Sequence, residues 1–246
     1  MRSTNPAMAV VLNQAGSLNF GGLANAATLS GTTTKALVLI IITMIVGYGS
    51  MIFCLDYIIN NGKIPTFLLT GSIIAALVVA MITIFKPQAS PITAPLYAIT
   101  EGCALGTISM ALELKYPGIV STAVMSTFAV VLAMLALWKF KVIVPTARFR
   151  SIVTGATAGV FVLYLLNFVT GLFGFNLLPS TGALSIGISL LICTIAAFNL
   201  VLDFENIQVS VDEGLPKYFE YFNAFSLLVT ICWLYIEILN LLSKRE

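Results

Sequence analysis

Seven long runs of apolar residues, each bounded by polar or helix-breaking residues, dominate the chain. They cover residues 36–59, 65–85, 92–112, 118–138, 151–173, 182–202 and 220–242. Each run is close to the roughly 20 residues that an α-helix needs to cross a hydrocarbon core about 30 Å thick. The runs are also about twice as long as a barrel strand and do not alternate apolar and polar residues. This pattern predicts an all-α polytopic membrane protein with about seven transmembrane helices in one bundle.

The same pattern divides the chain into two regions. Residues 1–35 are small and polar, rich in Asn, Ser, Gly and Thr, and lack the compact apolar run of a signal peptide. We therefore expect an N-terminal tail over residues 1–35 and a seven-helix transmembrane domain over residues 36–246.

Composition supports this class and excludes others. Of the 246 residues, 59% are hydrophobic and only 9% are charged, against roughly 25% charged residues in a soluble domain. The net charge of +2 and the scattered basic residues argue against nucleic-acid binding. All four cysteines lie in apolar runs, so we interpret them as buried packing residues rather than a disulfide framework or a metal cluster.

Loop charges predict the orientation. With seven spans, one side of the membrane collects eight Lys and Arg residues and the other side four, the larger group being Arg2, Lys35, Lys86, Lys139, Lys141, Arg148, Arg150 and Lys217. We expect the N-terminus in the cytoplasm and a location in the membrane that encloses the cytoplasm, in a bacterium its inner membrane.

Two pairs of glycines, Gly102 with Gly106 and Gly155 with Gly159, lie four residues apart. This spacing lets another helix approach closely. Internal packing is the preferred interpretation for both pairs, and a dimer interface is the alternative.

Acidic residues inside the apolar runs are the candidate functional residues, because charges are costly at membrane depth. Glu101 lies in the middle of the third run and is the deepest. Glu237 lies in the last run and is either a functional acid or an anchor near the surface, since Lys244 and Arg245 follow it. Asp203 closes the sixth run and is either a functional acid or a solvated helix end. For Glu101, the alternative is a protonated residue that only holds helices together.

The chemistry of such acids is limited by what the chain lacks. It contains no histidine, which removes the usual transition-metal ligand, general base and physiological pH switch. No motif for a nucleophile, a phosphate-binding loop or a metalloprotease is present, so we expect no enzymatic activity and no cofactor. Two buried acids close together can nevertheless exchange protons near neutral pH, and oxygen ligands of this kind suit calcium.

Several segments together resemble the Bax inhibitor/YccA-type family of transmembrane Bax inhibitor motif proteins, specifically its bacterial branch. The resemblance runs through nearly the whole chain and lies in residues 2–6, 97–106, 116–118, 127–128, 148–150, 199–203 and 234–240. It implies a seven-helix fold and, for some members, a pH-sensitive calcium leak controlled by two acids on the sixth and last helices. By motif, those acids match Asp203 and Glu237, which are then the candidate calcium contacts. The last-helix acid is usually Asp in the family, and the segment between the two acids looks longer here.

That longer segment matters for the geometry. If the hairpin turns near residues 214–216, Asp203 is level with residue 226, and Glu237 lies about 16 Å deeper at the rise of an α-helix. A direct pair of Asp203 and Glu237 then requires residues 206–222 to lie along the membrane surface. Alternatively, Glu101 replaces Asp203 as the partner of Glu237.

Three functions remain. The preferred hypothesis is an ion channel, a passive calcium leak gated by protonation of acids drawn from Glu101, Asp203 and Glu237. The second is a non-conducting membrane protein that binds and regulates other membrane proteins, such as a quality-control protease. A secondary transporter ranks last, because the sequence shows no convincing internal repeat.

Overall fold

The computed structural model describes residues 26–175, 177, 179 and 182–245. Within them the chain forms seven α-helices, and no strand is present in these ranges. The helices are α1 (Leu29–Asn61), α2 (Thr66–Phe85), α3 (Ser90–Glu113), α4 (Ile119–Lys139), α5 (Ala147–Leu172), α6 (Ala183–Asp212) and α7 (Phe219–Ser243). The prediction of an all-α polytopic bundle is confirmed. Most of the predicted N-terminal tail lies outside the described residues.

Six of the seven helices are long and apolar enough to cross a membrane. The exception is α3, which contains Pro95 and Glu101. Two contacts show that α3 nevertheless runs parallel to α7 over the same depth. Tyr97 packs edge-on against Phe225 with ring centroids 4.9 Å apart. Twelve residues further along α3, Ser109 shares a 2.7 Å hydrogen bond with the Tyr235 hydroxyl. The less apolar helix is therefore shielded by the more apolar ones.

The last helix is the centre of the bundle. α7 packs against α1, α3, α4 and α6, whereas the main contact of α5 is with α6. Accordingly, α7 carries buried residues on several sides, while α5 buries Val153 and Val160 alone. A helix with neighbours all round can keep polar side chains away from lipid, and α7 carries the acidic residues Glu220 and Glu237.

The two glycine pairs have different surroundings. A β carbon added at Gly106 would overlap the carbonyl oxygen of Gly47 in α1, and one at Gly102 would lie 2.8 Å from the carbonyl oxygen of Thr43. Internal packing is therefore confirmed for this pair. It is wrong for Gly155 and Gly159, where an added β carbon would meet nothing within 4 Å.

Two helices extend furthest beyond the predicted spans. α1 begins at Leu29 rather than residue 36, because the Thr28 side chain accepts a hydrogen bond from the Gly31 amide and caps the helix. α6 continues nine residues past Asp203 to Asp212. At 1.5 Å per residue α6 is about 45 Å long, so its last turns extend past a hydrocarbon core of about 30 Å.

A buried ion pair ties the start of α1 to the start of α7. The Glu220 carboxylate is 1% exposed and bonds the Lys35 ammonium group. It also accepts hydrogen bonds from the Thr28 amide and hydroxyl at 2.9 and 2.8 Å. The neighbouring Ala27 amide donates to the Leu215 carbonyl at 2.7 Å. These bonds explain why residues 26–35 belong to the folded bundle.

Candidate functional site

A repeated spacing aligns α5 with α6. Arg150 donates a hydrogen bond to the Asn206 side chain at 3.3 Å, and Asn199 donates to the Thr157 hydroxyl at 2.7 Å. The two bonds are seven residues apart on each helix and run in opposite directions, so the helices are antiparallel with a constant register. One further step of seven along α5 reaches Tyr164, which neighbours Cys193.

Asp203 is buried between α6 and α7. Its side chain is 7% exposed. The Ser226 hydroxyl donates to Oδ1 at 2.7 Å, and the Thr230 hydroxyl donates to Oδ2 at 2.6 Å. Because α6 continues past it and α7 covers it, Asp203 is an interior acid and not a solvated helix end.

Glu237 is buried nearer the other end of the same helix pair. Its side chain is 2% exposed. Its Oε1 accepts hydrogen bonds from the Tyr164 hydroxyl of α5 at 2.6 Å and from the Trp233 indole at 3.0 Å. Lys244 lies within electrostatic reach, and its ammonium group donates to Ser189 at 2.7 Å. Glu237 is therefore enclosed by three helices, which excludes the surface-anchor interpretation.

These contacts form four separate hydrogen-bonded groups that follow one another along the bundle, and together we call them the polar seam. It consists of Asp203, Ser226, Thr230, Asn199, Thr157, Glu237, Tyr164, Trp233, Ser189 and Lys244. On α7, Ser226, Thr230, Trp233 and Glu237 follow one another at spacings of three or four residues and so share one face. From Ser226 to Lys244 the seam extends about 27 Å along the helix axis, close to the thickness of a hydrocarbon core.

Glu101 does not join the seam. It lies beside Tyr97 on its own helix and within electrostatic range of Cys232 of α7. Cys232 precedes Glu237 by five residues, so the two side chains leave α7 about 140° apart. The structure thus places Glu101 and Glu237 on different sides of α7, and the arrangement in which Glu101 partners Glu237 is absent.

Asp203 and Glu237 do not form a direct pair either. The hairpin turns between Asp212 and Phe219, with Gly214 in the left-handed conformation. No surface-lying segment brings the acids together. Thr230, which bonds Asp203, is seven residues before Glu237, or about 10 Å along the helix. The two acids therefore occupy separate positions along one seam.

The seam leaves both acids without an ion-pair partner. In the described part of the chain, one ion pair is present, and it joins Lys35 to Glu220. A buried carboxyl group with hydroxyl donors and no salt bridge can hold a proton or a cation in turn. No group of three or more Cys, Asp and Glu side chains suited to a resident metal occurs in the described ranges.

Comparison with known proteins identifies the family. The model of the family described as Bax inhibitor 1 like matches residues 5–246. The chain belongs to the Bax inhibitor 1 like family. No curated protein and no solved structure matches it.

In this Bax inhibitor 1 like protein, several seam residues could not be identified from sequence. Tyr164 and Thr157 lie on a different helix from the acids that they serve, and nothing in their local sequence marks them. Ser226 and Thr230 carry a weak signal, because their spacing from Glu237 places small polar residues on one face of an otherwise apolar helix.

Proposed function

We propose that this Bax inhibitor 1 like protein is a passive, non-enzymatic cation leak, with calcium as the transported ion, and that protonation of Asp203 and Glu237 gates it. The observation that carries the proposal is the polar seam, in which two buried acids without salt-bridge partners lie in line across the bundle. A protonated acid keeps α6 and α7 together through neutral hydrogen bonds. An ionised acid favours an entering cation instead.

The orientation belongs to the same proposal. The end of the bundle that holds the α2–α3, α4–α5 and α6–α7 connections carries most of the lysines and arginines, and such segments favour the cytoplasmic side. On this basis Asp203 lies nearer the cytoplasm and Glu237 nearer the opposite side. The resemblance to the bacterial branch of the family adds a bacterial inner membrane to the proposal.

Calcium flux into liposomes tests the mechanism. The purified chain should pass calcium with a pH dependence. Asp203→Asn and Glu237→Gln should each weaken that dependence, because the amide side chain cannot exchange a proton. Asp212→Asn is the matched control, since Asp212 is an exposed acid on the same helix as Asp203. Flux with unchanged pH dependence in both seam variants would remove this mechanism.

Glu101→Gln separates two forms of the hypothesis. Glu101 remains a candidate proton-sensing acid, although it lies across α7 from the seam. If the seam is the pathway, its substitution changes the pH dependence less than either seam variant does. A larger effect would move the pathway to the α3 side of α7.

A second candidate function is binding to other membrane proteins. It is supported by Gly155 and Gly159, which are exposed on α5 with open space beyond them, a surface that another helix can approach closely. If this function is the correct one, replacing both glycines by leucine should abolish a co-purified partner, and the parent protein should pass no calcium.

A further inference from the structure

A lateral groove lies on the side of α7 away from the seam. α1 and α4 form its walls, and α3 and α7 form its floor, around a cavity of about 240 Å³. Its lining residues on α7 run from Leu228 to Tyr235, the middle of a helix that extends from Phe219 to Ser243. The groove is therefore at the depth of the hydrocarbon core.

The polar side chains of the groove are already satisfied. Thr43 donates to the backbone carbonyls of Leu39 and Ala98, Thr127 donates to that of Ala123, and Ser109 and Tyr235 bond each other. The remaining hydroxyl belongs to Tyr48, which is 68% exposed at the mouth. Water needs two to four polar partners in such a site, so the interior of the groove matches hydrocarbon rather than water or a polar solute.

The opening of the groove and its volume also suit a hydrocarbon chain. Exposed Tyr48, Met44 and Phe128 line the groove, so it opens sideways toward the bilayer. An apolar cavity of about 150 Å³ is already large enough to bind benzene. We propose that this groove is a binding site for one acyl chain of a bilayer phospholipid. The terminal part of the chain packs on the buried floor residues Leu228 and Ile231.

Photolabelling in nanodiscs tests the site. The full chain is assembled with phosphatidylcholine containing a trace of lipid with a diazirine at the end of one acyl chain. After irradiation, labelled residues are located by mass spectrometry. Leu228 and Ile231 are 2% and 8% exposed, so ordinary surface lipid cannot reach them. We expect labelling there at a lower level than at Phe161, an exposed residue of α5.

Two matched substitutions make the experiment specific. Val124→Phe enlarges a wall residue of the groove and should lower floor labelling several-fold without changing labelling at Phe161. Val162→Phe makes the same change on an exposed face of α5 and should leave floor labelling unchanged. If Val124→Phe prevents folding, Val124→Leu serves in its place with a smaller decrease.

Three results would overturn the proposal. An unlabelled floor in the parent protein excludes an acyl chain. Equal floor labelling in the two phenylalanine variants places the probe elsewhere. An unlabelled floor in nanodiscs that contain dimers identifies a second copy of the chain as the occupant. The readout does not involve ion flux, so it is independent of the proposed leak activity.

Discussion

Two opposite faces of α7 accommodate polar side chains inside the membrane in different ways. On the seam face, Asp203 of α6 accepts hydrogen bonds from α7, and Glu237 of α7 accepts them from α5 and from Trp233 of its own helix. On the groove face, α1 and α4 leave a cavity of about 240 Å³, and its polar groups bond within the bundle. Polar side chains need a protein covering, because lipid offers them no partners. Apolar side chains can face either protein or lipid, and so the groove face can remain open.

The position of Glu101 is consistent with this difference between the two faces. It lies on the side of α7 that also carries the groove, yet it is absent from the groove lining and is half-buried beside Tyr97 and Cys232. Even on the apolar side of α7, the acid is not part of the opening to lipid.

The largest expected effect concerns the packing of α1 on α3 that supports the groove. Gly106→Ala should destabilise the protein by more than about 3 kcal/mol, because its β carbon would overlap the backbone of Gly47, which cannot move without shifting α1. Gly155→Ala is the control, with open space around the added carbon, and should be neutral or stabilising by up to about 1 kcal/mol. Thermal unfolding in detergent measures both. Equal melting temperatures would show that α1 and α3 are not in close contact.

A smaller effect is expected on the seam face. Asp203→Ala leaves the Ser226 and Thr230 hydroxyls without their acceptor and should lower the free energy of unfolding by about 1–3 kcal/mol. Asp203→Asn keeps one acceptor oxygen and should lose less. The two variants are compared by chemical unfolding in the same detergent. If alanine were tolerated as well as asparagine, the hydrogen bonds of the seam would not stabilise the pairing of α6 with α7.

The smallest effect is expected at the single polar pair in the groove floor. Ser109→Ala should destabilise by about 1 kcal/mol, a typical value for a hydrogen bond between membrane helices. Tyr235→Phe should behave similarly. The double variant should lose clearly less than the two single losses combined, because no unpaired hydroxyl remains. Strict additivity in the same unfolding assay would mean that the two hydroxyls do not interact.

Much of the fold follows from local pattern. The seven helices were predictable because each must satisfy its own backbone hydrogen bonds and, with the exception of α3, presents an apolar surface of spanning length. The helix ends were less predictable. The start of α1 depends on Glu220, which is distant in sequence, and the end of α6 depends on packing beyond the hydrocarbon core. The acids of the site were candidates because they lie in apolar runs, and the family resemblance singled out Asp203 and Glu237, but Tyr164, Thr157 and the hydroxyls of α7 were not identifiable.

The amino-acid sequence by itself determined that the chain lies in a membrane as an all-helical bundle and which family it belongs to, and it marked Glu101, Asp203 and Glu237 as candidate acids. These properties depend on the hydropathy of single segments and on the order of motifs. Only the tertiary structure decided that Asp203 and Glu237 share a seam while Glu101 faces the other side of α7. Rotation about a helix axis and register between helices are set by packing of residues far apart in the chain, and hydropathy does not specify them.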